Sequence, residues 1–169
     1  MSESGAPPAT LSAGGFRGMM AAFPSGVGVV TALDEQGEPR GMTCSSICSV
    51  TLEPPTLLVC LRSVSPTCAA VLGRGRFAVN LLHQDSQPIA ELFASGDPAR
   101  FERVHWRADE LRAPHLPDDT HAVADCVVTS YHDVGDHTVV YGEVLDVTQG
   151  PPARPLLYGL RRYATWPHQ

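Results

Sequence analysis

The stretch AVADCVVTSYHD at residues 122–133, the linker Val134-Gly135-Asp136 and the stretch HTVVYGEVLDVT at 137–148 decide the fold class. Both runs are rich in β-branched and aromatic residues, and Gly-Asp between them is a turn signal. They read as the two long strands of a hairpin. Working outward, the same signature recurs. Gly26–Leu33 (GVGVVTAL) is strand-like, Asp34–Gly37 supplies a turn, and Arg40–Val50 reads as the second strand of another hairpin. After the break at Glu53-Pro54-Pro55, Thr56–Leu61 (TLLVCL) reads as a short strand buried on both faces. Gly75–Leu81, Pro155–Tyr158 and Arg162–Trp166 complete the set of strands.

Helices are few and short. Phe16, Met19, Met20 and Phe23 have helical spacing, and Pro24 stops that helix. Ser65-Pro66-Thr67 opens a second helix running to about Leu72, with serine as cap and proline at the first helical position. A third runs from 85 to 93, capped by Asp85 or Ser86. The polar, proline-rich segment 94–119 reads as loops with one helical turn near Pro98–Arg103. Strands and helices do not alternate, which argues against a doubly wound parallel sheet. A mainly β fold, a closed barrel with a few added helices, fits better.

The 169 residues, 43% hydrophobic and 18% charged, suit one domain with a core of its own. Residues 1–14 read as a disordered tail and 15–169 as the domain. The N-terminus lacks a basic start followed by an apolar stretch, and no apolar run approaches the roughly 20 residues of a membrane span. The expected setting is therefore cytoplasmic, with no membrane partner. Net charge is −6, and the twelve basic residues, all arginine, are scattered. That argues against nucleic-acid binding. The cysteines at 44, 48, 60, 68 and 126 are odd in number and lack C-x-x-C spacing, so neither disulfides nor a metal site is expected. Most read as buried thiols.

Four segments could carry chemistry. Gly41-Met-Thr-Cys-Ser-Ser46 places hydroxyls at 43, 45 and 46 in a strand. They could serve a planar heteroaromatic edge or merely face water. Arg62-Ser63-Val64-Ser65-Pro66-Thr67 holds more hydroxyls than a cap requires, at a helix start whose free N–H groups suit a phosphate. It also reads as a plain cap. Arg74 and Arg76 flank Gly75, as phosphate ligands or surface arginines. In Gly135-Asp136-His137 the aspartate can orient the imidazole, or the segment is only a turn. Read from residues alone, this is a β-barrel-like domain with a phosphate-bearing ligand.

The order of motifs adds more. Phe23–Thr31 (FPSGVGVVT), Gly41–Ser46 (GMTCSS), Ser49–Pro55 (SVTLEPP), Ser65-Pro66-Thr67, Gly75–Asn80 (GRFAVN), Gly135-Asp136-His137 and Pro155–Tyr158 (PLLY) together resemble the flavin reductase-like domain, the FMN-binding split barrel. The likeness is to the short-chain reductases of two-component flavin monooxygenases, and it covers about Phe16 to Tyr163. Two positions depart from the family pattern. Ser25 stands where threonine is usual, and Ile47 where phenylalanine often follows the serine pair.

The resemblance implies a six-stranded, Greek-key-like split β-barrel in a homodimer. It implies an NAD(P)H-dependent reductase that passes reduced FMN or FAD to a flavin-dependent oxygenase. A storage, sensor or electron-carrier protein of the same fold is the alternative. By resemblance, Met42, Thr43, Cys44, Ser45 and Ser46 line the flavin ring and ribityl chain. Ser63, Ser65 and Thr67, with Arg76, reach its phosphate. His137 contacts the nicotinamide cofactor (NADH or NADPH), and Pro24, Ser25 and Tyr163 border its pocket. Hydride passage between two cofactors needs no protein acid or base, so no catalytic residue is expected.

Overall fold

The computed structural model describes residues 12–109 and 112–167. The expected tail therefore falls largely outside the described residues. Ser12 caps helix α1 (Ala13–Ala21), its Oγ accepting from the Gly15 N–H at 3.1 Å. Strands β1 (Ser25–Gly26) and β2 (Gly28–Leu33) follow. The turn after β2 is built by Asp34, whose Oδ1 accepts from the N–H groups of Gln36 and Glu38, with Gly37 at positive φ. Strand β3 (Pro39–Cys44) then returns antiparallel to β2.

The single strand read over Arg40–Val50 is corrected here. It breaks at Ser45-Ser46, and β4 (Ile47–Leu52) pairs not with β2 but with β5 (Pro55–Arg62). The Ser46 carbonyl accepts from the Cys60 N–H at 3.1 Å, so the chain changes partners at the serine pair. Strand β5 is also not buried on both faces. Val59 and Leu61 are fully buried, and their neighbours Leu58 and Cys60 are only partly so.

Helix α2 (Pro66–Arg74) is capped by Ser65 and ends at Gly75 in the left-handed region, φ 70°. Strand β6 (Arg76–Leu82), helix α3 (Gln87–Ser95) and a short 3-10 turn (Arg100–Arg103) come next. Ser86 stands at the α3 cap position, yet its Oγ donates to the Asp119 carbonyl at 2.9 Å instead of capping the helix. The long hairpin is β7 (Thr120–Val134) with β8 (His137–Gln149), and β9 (Leu156–Gly159) and β10 (Arg162–Thr165) end the fold.

Seven strands form one antiparallel sheet in the order β3-β2-β6-β7-β8-β5-β4, and β1-β9-β10 form a second, small sheet. If β3 and β4 count as one bent strand, the large sheet has the six expected. The barrel interior holds Val30, Val59, Leu61, Val71, Phe77, Val79 and Val140, all buried. A second cluster packs Val27, Val29, Leu82, Phe93, Leu116 and Leu156 under the small sheet and α3.

One buried polar side chain fastens the long loop before β7 to the sheet. Asn80 Nδ2 donates to Val29 O and Pro114 O, both at 3.2 Å, and to Thr31 Oγ1 at 3.0 Å. Its Oδ1 accepts from Leu116 N–H at 2.9 Å. Thr31 Oγ1 in turn donates to Pro114 O. Removing the amide would strand buried donors and acceptors. Asn80→Ala should therefore lower unfolding free energy by about 3 kcal/mol, read from the urea midpoint at unchanged slope.

Candidate functional site

The two outer strands of the large sheet are joined by Ser45-Ser46, so the barrel's seam opens at this pair. Both serines are exposed. β3 stops at Cys44, so Ser45 and Ser46 lie in the connection between two strands and not within one. Thr43 Oγ1 donates to the Ala90 carbonyl of α3 at 2.6 Å, so its hydrogen is committed. Cys44 is turned inward, its Sγ beside the carbonyls of Ser46 (3.6 Å) and Cys60 (3.7 Å). Burial pushes its thiol up to about 11. Met42 is partly buried against the barrel core. What the segment offers a ligand is therefore the serine hydroxyls and its backbone.

From Cys60, which touches the seam, β5 runs three residues, roughly 10 Å, to Ser63 and the start of α2. Ser65 Oγ accepts from the Cys68 N–H at 3.0 Å, and the Ser65 carbonyl accepts from Ala69 N–H. Pro66 has no N–H. The Thr67 N–H is thus left without a protein acceptor among the described residues, and the Ser65 hydroxyl keeps its own hydrogen to donate. This donor set, at the positive end of a nine-residue helix, fits a phosphate.

Ser63 faces the other way. Its N–H donates to the Asp136 carbonyl at 3.1 Å, and its hydroxyl lies 2.9 Å from that of Thr138. Arg62 pairs with His137 across β5 and β8. The Asp136 carboxylate holds His137 Nδ1 at 2.8 Å, and that hydrogen bond, with the imidazole's charge, draws the carboxyl below its ordinary range. Arg62 adds to the effect, so its guanidinium is close to this turn.

Pro24, Ser25 and Tyr163 gather at the small sheet. Ser25 is paired with Tyr158, and Tyr158 with Tyr163, their rings 5.1 Å apart. Burial and the nearby Glu91 carboxylate of α3 raise the Tyr163 hydroxyl. A side chain at Gly159 would meet Pro24 at 3.2 Å. α3 links this group to the seam, since Ala90 receives the Thr43 bond.

Arg76 opens β6. It lies beyond the C-terminus of α2, whose nine residues put about 13 Å between it and the Ser65 end. Arg62 is the arginine beside that end. Arg62 opens the motif singled out for a phosphate, and Tyr158 closes the Pro155–Tyr158 motif, though neither was named as a site residue. Cys44, Cys68 and Cys126 are buried, Cys60 is half-buried, Cys48 is exposed, and all five thiols are free. No group of metal-ligating side chains occurs among the described residues.

A curled antiparallel sheet with an open seam and a capped helix start beside it defines a split β-barrel. Comparison with known proteins carries this further. The flavin reductase-like domain matches residues 20–167. A flavin reductase (NADPH) of Lentzea aerocolonigenes is 50% identical over 161 residues, 95% of this chain and 94% of that one. A flavin reductase (NADH) of Kitasatospora aureofaciens is 43% identical, covering 90% and 81%. Among solved structures, the NADH:FAD oxidoreductase SgcE6 of Streptomyces globisporus, in complex with NAD and FAD fragments, superposes with a TM-score of 0.83 at 31% identity, covering 90% of this chain and 92% of that one. The chain belongs to the flavin reductase-like domain family.

Burial sorts the thiols. With an aromatic disulfide reagent at pH 8, Cys48 should react at once, while Cys44 and Cys126 (pushed up to about 11 and about 12) should react only on unfolding. Cys48→Ser should abolish the fast phase in absorbance. A second fast thiol assigned to Cys44 by mass spectrometry would contradict its burial.

Proposed function

We propose that this chain is an NAD(P)H:flavin oxidoreductase that reduces FMN or FAD and hands the reduced flavin to a flavin-dependent oxygenase. The observation that carries the reading is a convergence at one end of β5. β5 joins the seam, where the Cys60 N–H meets the Ser46 carbonyl, to the aspartate-held His137, which pairs with Arg62, and to the cap at Ser65 that opens α2. The relatives named above support the reaction and support both nicotinamide cofactors.

The bound flavin and nicotinamide supply the redox chemistry between them. The protein's part is to bind and orient. Ser45, Ser46 and the backbone of Met42–Cys44 border the flavin ring, as the donors and exposed edges at the seam suit it. Ser65, Thr67 and the Thr67 N–H take the phosphate, with Arg62 supplying charge. Ser63 holds that loop. His137 keeps its Nδ1–H on Asp136, so Nε2 is the atom it offers the nicotinamide cofactor. Pro24, Ser25 and Tyr163 form the far wall of that pocket. No side chain is assigned as acid or base.

The assembly in this reading is a homodimer in the cytoplasm. Phe16, Met19, Met20 and Phe23 are 51%, 61%, 43% and 68% exposed on and just after α1, an apolar face beside Pro24 that a second subunit would cover. No helix among the described residues is long and apolar enough to cross a membrane.

The protein should oxidise many equivalents of NADH or NADPH per chain when given FMN or FAD, followed at 340 nm. Unchanged absorbance with both donors and both flavins overturns the proposal. Ser65→Ala combined with Thr67→Ala should weaken FMN on the order of tenfold to a hundredfold and riboflavin far less, by fluorescence titration. His137→Ala should raise the KM for the nicotinamide several-fold more than it weakens flavin.

A further inference from the structure

Resting on the reductase reading, we propose that Thr138 is a positioning residue that couples the flavin-phosphate loop to the nicotinamide-facing turn through a directed hydrogen-bond chain. The direction follows from counting hydrogens. Thr138 Oγ1 lies 2.7 Å from Asp133 Oδ1, and a carboxylate can only accept, so the one hydroxyl hydrogen of Thr138 goes to Asp133. Ser63 Oγ, at 2.9 Å from Thr138 Oγ1, must then be the donor. The chain runs Ser63 to Thr138 to Asp133. Ser63 therefore has no hydroxyl hydrogen left for a phosphate, and its role in the loop is to anchor it.

The chain adds a side-chain link between two segments that meet where the β5–β8 ladder ends at Arg62 and His137. Ser63 is two residues before the Ser65 cap, and its N–H donates to the carbonyl of Asp136, the residue that holds the His137 ring. Thr138 is 1% exposed, the buried middle of the relay. The hairpin tip around it has few packing partners, as Tyr131 (52%) and Val134 (62%) are open to solvent. Drawing Ser65 and Thr67 onto a phosphate would quiet the 63–67 loop, and through Ser63 it would quiet the 133–138 turn. The turn would then lose less freedom when a nicotinamide cofactor engages His137, which is positive coupling without a change of shape.

The test uses equilibrium binding. The Kd of the oxidised dinucleotide, NAD or NADP, is measured by calorimetry on protein saturated with FMN and, separately, with riboflavin, which lacks the phosphate. The FMN-loaded wild type should bind the dinucleotide about fivefold tighter than the riboflavin-loaded protein, the low end of ordinary coupling. Thr138→Val should bring that ratio close to one, and Thr138→Ser, which keeps the relay, should restore it. Asp133→Ala, at an exposed position, should lower the ratio too, and it carries the test if Thr138→Val does not fold. A wild-type ratio near one, or a fivefold ratio that survives Thr138→Val or Asp133→Ala, overturns the proposal while leaving the reductase reading intact. No dinucleotide binding by the wild type overturns the proposal, and the reductase reading falls with it only if oxidation of NADH and NADPH at 340 nm is absent as well.

Discussion

The structure depends on a two-residue connection between strands that a flat sheet would hold far apart. β3 and β4 are the outermost strands of a seven-stranded sheet, and Ser45-Ser46 is all that separates them in the chain. Laid flat, six spacings would place them about 29 Å apart. The step from Cys44 to Ile47 reaches at most about 11 Å. The sheet must therefore curl until its edges nearly meet, and the Cys60 N–H bond to Ser46 O fixes where. The edges do not zip into a common ladder. The seam stays open, and the open seam is where a flat ring can lie against backbone.

The other layers brace that seam. Gly41 lets Phe93 and Phe101 close over β3, where a Cβ would stand 2.9 Å and 3.1 Å from their rings, and Arg100 donates to the Gly41 carbonyl at 2.8 Å. Thr43 reaches α3 through Ala90. α3 in turn carries Glu91 to the neighbourhood of Tyr163, so the seam and the small sheet share one support. On the opposite side, β5 carries the seam contact at Cys60 and the helix start after Ser63. The distance between the seam and the start of α2 is thus set by the pleat of one strand.

The long hairpin at 122–148, the capped helix at Ser65 and the Gly-Asp-His turn were legible because each is a local pattern: alternation, a cap, a turn. The break at Ser45-Ser46 was not. A run from Arg40 to Val50 has strand character throughout, and only the partner change, a contact with residue 60, reveals the kink. The place of Arg76 was hidden for a related reason: the nine residues of α2 stand between it and the Ser65 cap. Asn80 was read only as part of a motif string, because its four bonds reach residues 29, 31, 114 and 116.

Hydroxyl residues show where reading by residue type ends and reading by hydrogens begins. The sequence singles out Thr43, Ser45, Ser46, Ser63, Ser65 and Thr67 together, and by type they are alike. Each carries one hydroxyl hydrogen. Thr43 gives its to Ala90, and Ser63 gives its to Thr138, both inside the fold. Ser45, Ser46, Ser65 and Thr67 have no such acceptor among the described residues. The first pair is bonded within the fold, while Ser45 and Ser46 are exposed at the seam, Ser65 is half-buried at the helix start and Thr67 is buried just behind it. An anion discriminates between these groups strictly, since a hydroxyl whose hydrogen is committed presents it only with lone pairs. The same count explains why a motif dense in serine and threonine is needed at all. Some must be used to hold the loop still before the others can bind.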